Sequence, residues 1–383
     1  MVEWKKLGDV CKDVIVPMRD RPKIFDGDIP WCRIEDIEGM YFNKSLSGLK
    51  VSDDVIKEMN LKVFPTGTVI CSCSATLGVC AINTQPLITN QTFIGLVCSE
   101  QINNRFLYYY MLTRKKELFT LATTGTIPYV SREKFENIQI PVLTLNEQQH
   151  IVETLDTFTA SIDNLKEQIA QRRKQFEHYR DQLLDLEGKE GVVMKALGDV
   201  CIIKNGYTPS TKNSDFWDNG TLPWFTLEDI RKNGRILTDA IKHITSLGVK
   251  RGGLFPKESI IISTTATIGE YALIKSDFLC NQQITCLSIK DTCKENLLSK
   301  YLYYMSDRIG TWCKKNVNGG GSLKIISTSK LHNLIIPIPS LSEQSRIVSI
   351  LDSFEASIAN LEEQLALRQK QYEYYREKLL TFE

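Results

Sequence analysis

The chain has 383 residues, 42% hydrophobic and 24% charged. That describes a globular protein of two or more domains, neither disordered nor fibrous. No run approaches the ~20 apolar residues of a membrane span, so no membrane partner is expected. The opening Met1–Val10 lacks an apolar leader core, which points away from export. Eleven cysteines at irregular spacings suggest reduced thiols in a cytoplasmic protein rather than a disulfide framework. The net charge of +1 hides a separation. Residues 147–187 and 343–383 hold 10 of the 47 basic and 17 of the 46 acidic residues, leaving 37 and 29 for the rest. A basic bulk is compatible with a polyanionic partner.

In chain order, Trp4-Lys-Lys-Leu-Gly-Asp-Val-Cys11 opens a plan that returns at Met194-Lys-Ala-Leu-Gly-Asp-Val-Cys201. Ile29–Ile37 returns as Leu222–Ile230, and Ala75-Thr-Leu-Gly78 as Ala266-Thr-Ile-Gly269. Asn90-Gln91 matches Asn281-Gln282, and Leu107-Tyr-Tyr109 matches Leu302-Tyr-Tyr304. Two such long units are too few for a solenoid; the chain is a duplicated two-part module. Each copy starts with a globular head, 1–143 and then 189–339, of short apolar runs broken by Gly, Pro, Asn and Asp. Val69–Ser72 and Ile260–Ser263 are predicted strands after Phe-Pro turns. Leu107–Lys116 and Leu297–Asp307 are predicted short helices, which makes each head mixed α+β.

A long helix follows each head, over 144–188 and 340–383. Thr144-Leu-Asn-Glu147 and Ser340-Leu-Ser-Glu343 both fit a capping box. Apolar positions then run Ile151, Leu155, Phe158, Ile162, Leu165, Ile169, Arg172, Phe176, Tyr179, Leu183, Leu186. The second copy gives Ile347, Leu351, Phe354, Ile358, Leu361, Leu365, Arg368, Tyr372, Tyr375, Leu379, Phe382. The 4,3 alternation is that of a coiled-coil seam. Parallel pairing would bring Arg172 and Arg368 into one layer, a like-charge contact in a partly dry seam. Antiparallel pairing sets layer seven against layer five, Arg172 with Leu361 and Arg368 with Leu165, each stem on leucine and each head in water. Two antiparallel helices of roughly 40 residues, at ~1.5 Å per residue, make a rod of about 60 Å. The expected molecule is a pseudo-twofold dumbbell.

This order of head, helix, head, helix resembles the specificity (S) subunit of type I restriction–modification enzymes. The motifs that carry the likeness are Ile140-Pro-Val-Leu-Thr-Leu-Asn-Glu-Gln148 and Ile336-Pro-Ile-Pro-Ser-Leu-Ser-Glu-Gln344, each running into its heptads. Gly125-Thr126 and Gly321-Ser322 add to them. The resemblance implies two target recognition domains, each reading half of a bipartite, asymmetric site on double-stranded DNA, with the helices setting the spacer. It also implies docking of two methyltransferase (M) subunits, with restriction (R) subunits in the full complex. The chain itself would carry no cofactor; S-adenosylmethionine, ATP and Mg would belong to those partners.

Candidate DNA contacts lie on polar loops, because phosphate contacts fix register and base-edge contacts supply choice. In the first head they are Arg19, Arg21, Lys23, Ser72, Ser74, Thr76, Thr123, Thr124 and Thr126. In the second they are Lys204, Tyr207, Thr208, Lys212, Thr264, Thr265, Thr267, Asn318, Ser322 and Lys324. The heads diverge most over Cys11–Pro30 against Cys201–Pro223, as unequal reading would require. No Asn/Asp-Pro-Pro-Tyr/Phe methyltransferase motif or Gly-x4-Gly-Lys-Ser/Thr loop occurs, so catalysis is not expected. Glu35-Asp36 and Glu228-Asp229 are expected to bond loop amides, and Trp31 and Trp224 to lie in the core. Cys71, Cys73 and Cys80 lack the fourth ligand of a closed zinc site. Two other readings compete: a passive coiled-coil scaffold without sequence reading, and an RNA-binding adaptor. Divergent polar loops disfavour the first, and the lack of clustered exposed aromatics disfavours the second.

Overall fold

The structure is a computed structural model and describes residues 2–317 and 324–382. Each head is built on the same three sheets. In the first, Cys11–Ile15, Phe93–Cys98, Val69–Ser72, Cys80–Asn83 and Tyr41–Phe42 form a five-stranded sheet in that order. Its ladders are antiparallel apart from Tyr41–Phe42, which runs parallel to its neighbour. A three-stranded sheet orders Lys50–Val51, Ile29–Cys32 and Ile88–Thr89, and Glu3–Lys6 pairs antiparallel with Gln139–Val142. The second head repeats this with Cys201–Asn205, Ile284–Ile289, Ser259–Ser263, Tyr271–Ile274 and Ile236–Leu237. Its smaller sheets are Lys242–Ile244, Leu222–Phe225 and Leu279–Cys280, and Val193–Ala196 with Ile335–Ile338.

The central strands are continuous apolar runs because both faces are covered. Val69–Ser72 and Ser259–Ser263 are buried throughout. The helix expected near Leu107–Lys116 is two, Asn104–Thr113 and Lys115–Leu121. Its counterpart is a single longer helix, Ser299–Lys315. Trp31 and Trp224 lie in the core, at 2% and 6% exposure. Asp36 accepts the amides of Arg33 (2.7 Å) and Leu46 (2.8 Å), and Asp229 accepts those of Thr226 (2.7 Å) and Ile241 (2.6 Å). Burying a carboxylate this way is tolerable because two N–H donors replace its water.

The long helices run over Leu145–Leu183 and Leu341–Leu380. By packing, the chain divides into two compact units. One unit is residues 1–168 with 362–383, the other 169–361. Each therefore holds one head, the start of one long helix and the end of the other. Within the first unit Phe158 stacks on Tyr375 at 5.2 Å between ring centroids; within the second, Phe354 stacks on Tyr179 at 5.4 Å. Both contacts join layer three of one helix to layer nine of the other, the antiparallel register that sets layer seven against layer five. The arginine heads depart from expectation. Arg368 lies 5.8 Å from the Phe158 ring and Arg172 5.8 Å from the Phe354 ring, because a half-buried guanidinium gains more over an aromatic face than in water alone.

At its ends the apolar stripe leaves the seam and enters the head cores. Ile151 and Leu155 are buried with Leu380 in the first core, and Ile347 and Leu351 with Leu184 and Leu186 in the second. Ile162, Leu165 and Ile169 are buried, whereas Phe176, Ile358, Leu361, Leu365 and Tyr372 are half-buried. The first capping box is complete: Glu147 accepts the Thr144 amide (2.9 Å), and Thr144 Oγ1 accepts the Glu147 amide (3.3 Å). The second is half made. The Ser340 hydroxyl accepts the Glu343 amide at 3.3 Å, but the Glu343 carboxylate is held by Arg346 at 2.7 Å, where the first copy has His150.

The last residue of each motif fixes the head to its helix. Gln148 is fully buried; its Nε2 donates to the Gln101 (2.8 Å) and Leu143 (2.9 Å) carbonyls, and its Oε1 accepts the Asn103 amide (2.8 Å). Gln344 repeats the pattern on Asn296, Pro339 and the Leu298 amide, each at 2.9 Å. Truncation removes the partner of three part-buried backbone groups and leaves a cavity at a buried side chain. Gln148→Ala is therefore expected to lower the stability of its own unit by about 3 kcal/mol. Denaturant unfolding with a probe in each unit checks this: the first transition moves and the second stays.

Candidate nucleic-acid interface

The hairpin between the two central strands of each head is a braced turn. In the first head the buried Ser72 hydroxyl donates to the Thr76 carbonyl and accepts the Val79 amide at 3.0 Å. In the second, Ser263 donates to the Thr267 carbonyl (2.6 Å) and accepts the Glu270 amide (2.9 Å). The tips carry Ala75 (φ +59°) and Ala266 (φ +64°) in left-handed backbone, where a β-carbon costs ~1–2 kcal/mol. Thr76 and Thr267 project into solvent beside them. Ser72 is thus a brace rather than a contact. So is buried Thr264, whose hydroxyl meets that of Thr285 at 2.8 Å, itself bonded to Asn205 at 2.8 Å. Ser74 and Thr265 sit half-buried at the turn's shoulders.

A second loop is laid along each hairpin. Ser74 bridges Tyr129, and the Ala75 amide donates to the Pro128 carbonyl at 3.2 Å. This brings exposed Thr123, Thr124 and Thr126 next to the tip. In the second head Thr265 bridges Ile325, and the Ala266 amide donates to the Lys324 carbonyl at 3.3 Å, so exposed Lys324 borders the tip. Asn318, Gly321 and Ser322 lie outside the described residues.

The divergent loops are placed differently in the two heads. Arg19, Arg21 and Lys23 are exposed, with Arg21 5.6 Å from the Phe25 ring, and Phe25 packs edge-on to Trp31. Among the described residues no hydrogen bond joins them to the hairpin. In the second head Tyr207 is anchored: its hydroxyl accepts the Lys250 amide (2.7 Å), and its carbonyl accepts Trp224 Nε1 (3.0 Å). Thr208 donates to Gln282, whose neighbour Gln283 accepts the Thr264 amide at 2.9 Å. Thr208, Gln282 and the tip thus form one polar surface, with Lys204 and Lys212 exposed on the same loop and its strand. Gln91 is exposed one residue before Thr92, whose carbonyl accepts the Cys73 amide at 2.8 Å in the first head. Gln91 and Gln282 were absent from the sequence candidates; their recurrence after Asn90 and Asn281 was the signal.

A family model described as the type I restriction modification DNA specificity domain matches residues 1–172 and again 189–368. The chain belongs to that DNA specificity family. It is 43% identical over 215 residues to the Escherichia coli EcoprrI specificity subunit, a match spanning 53% of this chain and 53% of that one. It is 35% identical over 296 residues to the E. coli EcoR124I/EcoR124II specificity subunit, covering 73% of this chain and 70% of the relative. A chain from a solved structure of a type I restriction–modification system shares the fold at TM-score 0.68 and 20% identity, over 99% of this chain and 96% of that one. The doubled match of the family model falls on the two copies found in the sequence, and the family role is specificity rather than catalysis.

In this family member the heads are also tied to their own helices by polar groups. Tyr109 donates to Asp156 at 2.7 Å, and Arg105 pairs with the same carboxylate at 2.7 Å. In the second head Tyr304 donates to Asp352 and to Glu355 (3.0 Å), and Lys300 pairs with Asp352 at 3.0 Å. Burial pushes both tyrosine hydroxyls far above their ordinary range, so they remain donors. Cys71 and Cys80 face each other across paired strands with Sγ atoms 2.9 Å apart. Burial raises Cys71 well above the usual thiol range and Cys73 to about 12, so they pack as protonated thiols. Among the described residues no three His, Cys, Asp or Glu side chains converge on a metal position, and no helix is long and apolar enough to cross a membrane.

The left-handed alanines give a direct test of the tip geometry. Ala75→Gly and Ala266→Gly are each expected to stabilise their unit by about 1 kcal/mol, since glycine accepts positive φ. Denaturation midpoints check the sign, and a loss would contradict the tip conformation.

Proposed function

We propose that the chain is the DNA-reading subunit of a type I restriction–modification complex, each head reading one half of a bipartite, asymmetric site. The observation that carries this is duplication with divergence. The two heads share sheets, braced hairpins and helix anchors, while the polar loops within 11–30 and 201–223, at 17–28 and 206–221, share almost nothing. Equal scaffolds with unequal loops suit two different half-sequences. The reading includes two methyltransferase subunits docked on the helices and adjoining surfaces, with restriction subunits joining the full complex. S-adenosylmethionine, ATP and Mg belong to those partners, and this chain supplies only the address.

The helices supply the spacing in this reading. Each continues without a break from the head it follows, 39 residues in one and 40 in the other, so a change in helix length changes the separation of the half-sites.

Replacing residues 1–143 with the head of another family member is expected to change one half-site and leave the other intact. Methylome sequencing of cells carrying the chimera reads this directly, and altered reading in both halves contradicts independent heads. Deleting one heptad from both helices is expected to change the spacer or abolish methylation, as the same sequencing would report. An unchanged site removes the spacing role.

A further inference from the structure

Both hairpin tips carry the same surface, although the heads that bear them differ elsewhere. Each presents a left-handed alanine, an exposed threonine and a positive-φ glycine, Gly78 (φ +82°) or Gly269 (φ +91°), that closes the turn. Each glycine lies against a lysine side chain. A β-carbon on Gly78 would sit 2.7 Å from Lys115 Cγ, and one on Gly269 would meet the Gly310 carbonyl first, at 2.6 Å, with Lys314 Cε at 3.0 Å. The two lysines are not counterparts. Six residues beyond Tyr109 stands Lys115, whereas six beyond Tyr304 stands Gly310, so Lys314 reaches the hairpin from a later turn of its helix. The second copy keeps a cation in this place although the matching position has lost its side chain. Lys116 and Lys315 stand exposed alongside, and among the described residues none of the four lysines is paired with a carboxylate.

The C-terminal end of the helical segment is pinned alike in both heads, at the far end of the helix that Lys115 and Lys116 open and just after the last turn that carries Lys314 and Lys315. Lys134 Nζ donates to the Leu121 carbonyl at 2.6 Å, and Lys330 Nζ to the Asn316 carbonyl at 2.9 Å. A cation there satisfies orphan carbonyls and opposes the helix dipole. A surface common to two heads cannot tell two half-sequences apart; it can only meet what both share. In a duplex that is the phosphate backbone, which lysine engages as a mobile point charge with three donors.

We propose that the hairpin tips, Thr76 with Lys115 and Lys116 and Thr267 with Lys314 and Lys315, grip DNA phosphates without regard to sequence and set the register in which the divergent loops read bases. This rests on the DNA reading proposed above. The test uses the full chain and two duplexes, one selected from a random library by the wild-type chain and one unrelated, titrated with salt. For the pairs K115Q/K116Q and K314Q/K315Q, the slope of log affinity against log salt is expected to fall by about 0.9 per lysine. Both duplexes lose affinity by the same factor, the selected sequence is unchanged, and the Lys→Arg variants keep the wild-type slope. A shifted base preference, or a wild-type slope in the Gln variants, overturns the phosphate assignment alone. A wild-type chain that binds no duplex overturns the DNA reading and this assignment together.

Discussion

A glutamine with no exposed surface holds each head to its helix, and the placement of every loop depends on that joint. Gln148 and Gln344 each satisfy one amide and two carbonyls around the turn into the helix. The tyrosine–aspartate contacts about two turns further on, Tyr109 with Asp156 and Tyr304 with Asp352, add a second point of attachment. Two separated polar anchors stop a head from swivelling about the helix axis, which a purely apolar contact would permit. A reader whose loops must meet fixed atoms needs that stiffness.

The seam within each unit solves a different problem, that of placing an arginine in an apolar stripe. In each unit the guanidinium stacks on a phenylalanine of the facing helix, which replaces part of its lost hydration. The aromatic pairs Phe158 with Tyr375 and Phe354 with Tyr179 mark the same layers in both units. The register is therefore written twice, once in each half, and both copies agree.

The two heads divide their surface between a shared part and a private part. Braced hairpins, lysine-capped helix ends and buried aspartates recur with the same partners, so they belong to the scaffold and its common contacts. Loops 17–28 and 206–221 differ in length, sequence and anchoring. In the second head Thr208 ties the loop to Gln282 and Tyr207 ties it to the Lys250 segment, and in the first Arg21 rests on Phe25. Specificity on such a plan changes by editing the private loops without disturbing what holds them.

Periodicity and duplication were legible without coordinates. The 3.5-residue spacing fixes the seam, the arginine layer argues its direction by charge alone, and the repeated motifs give two heads of one design. Local patterns of this kind survive in a sequence because the helix converts spacing directly into a face. What tertiary structure decided is which polar side chains work inside the protein and which face outward. Ser72, Thr264 and Tyr207 looked like contacts by composition, yet their partners lie on chain segments far off in sequence or in the backbone of a turn, so no local pattern could expose them as braces. Lys314 joined the hairpin surface from a position that alignment to the first copy would have discarded. Proximity across the fold, and not residue type, settled that.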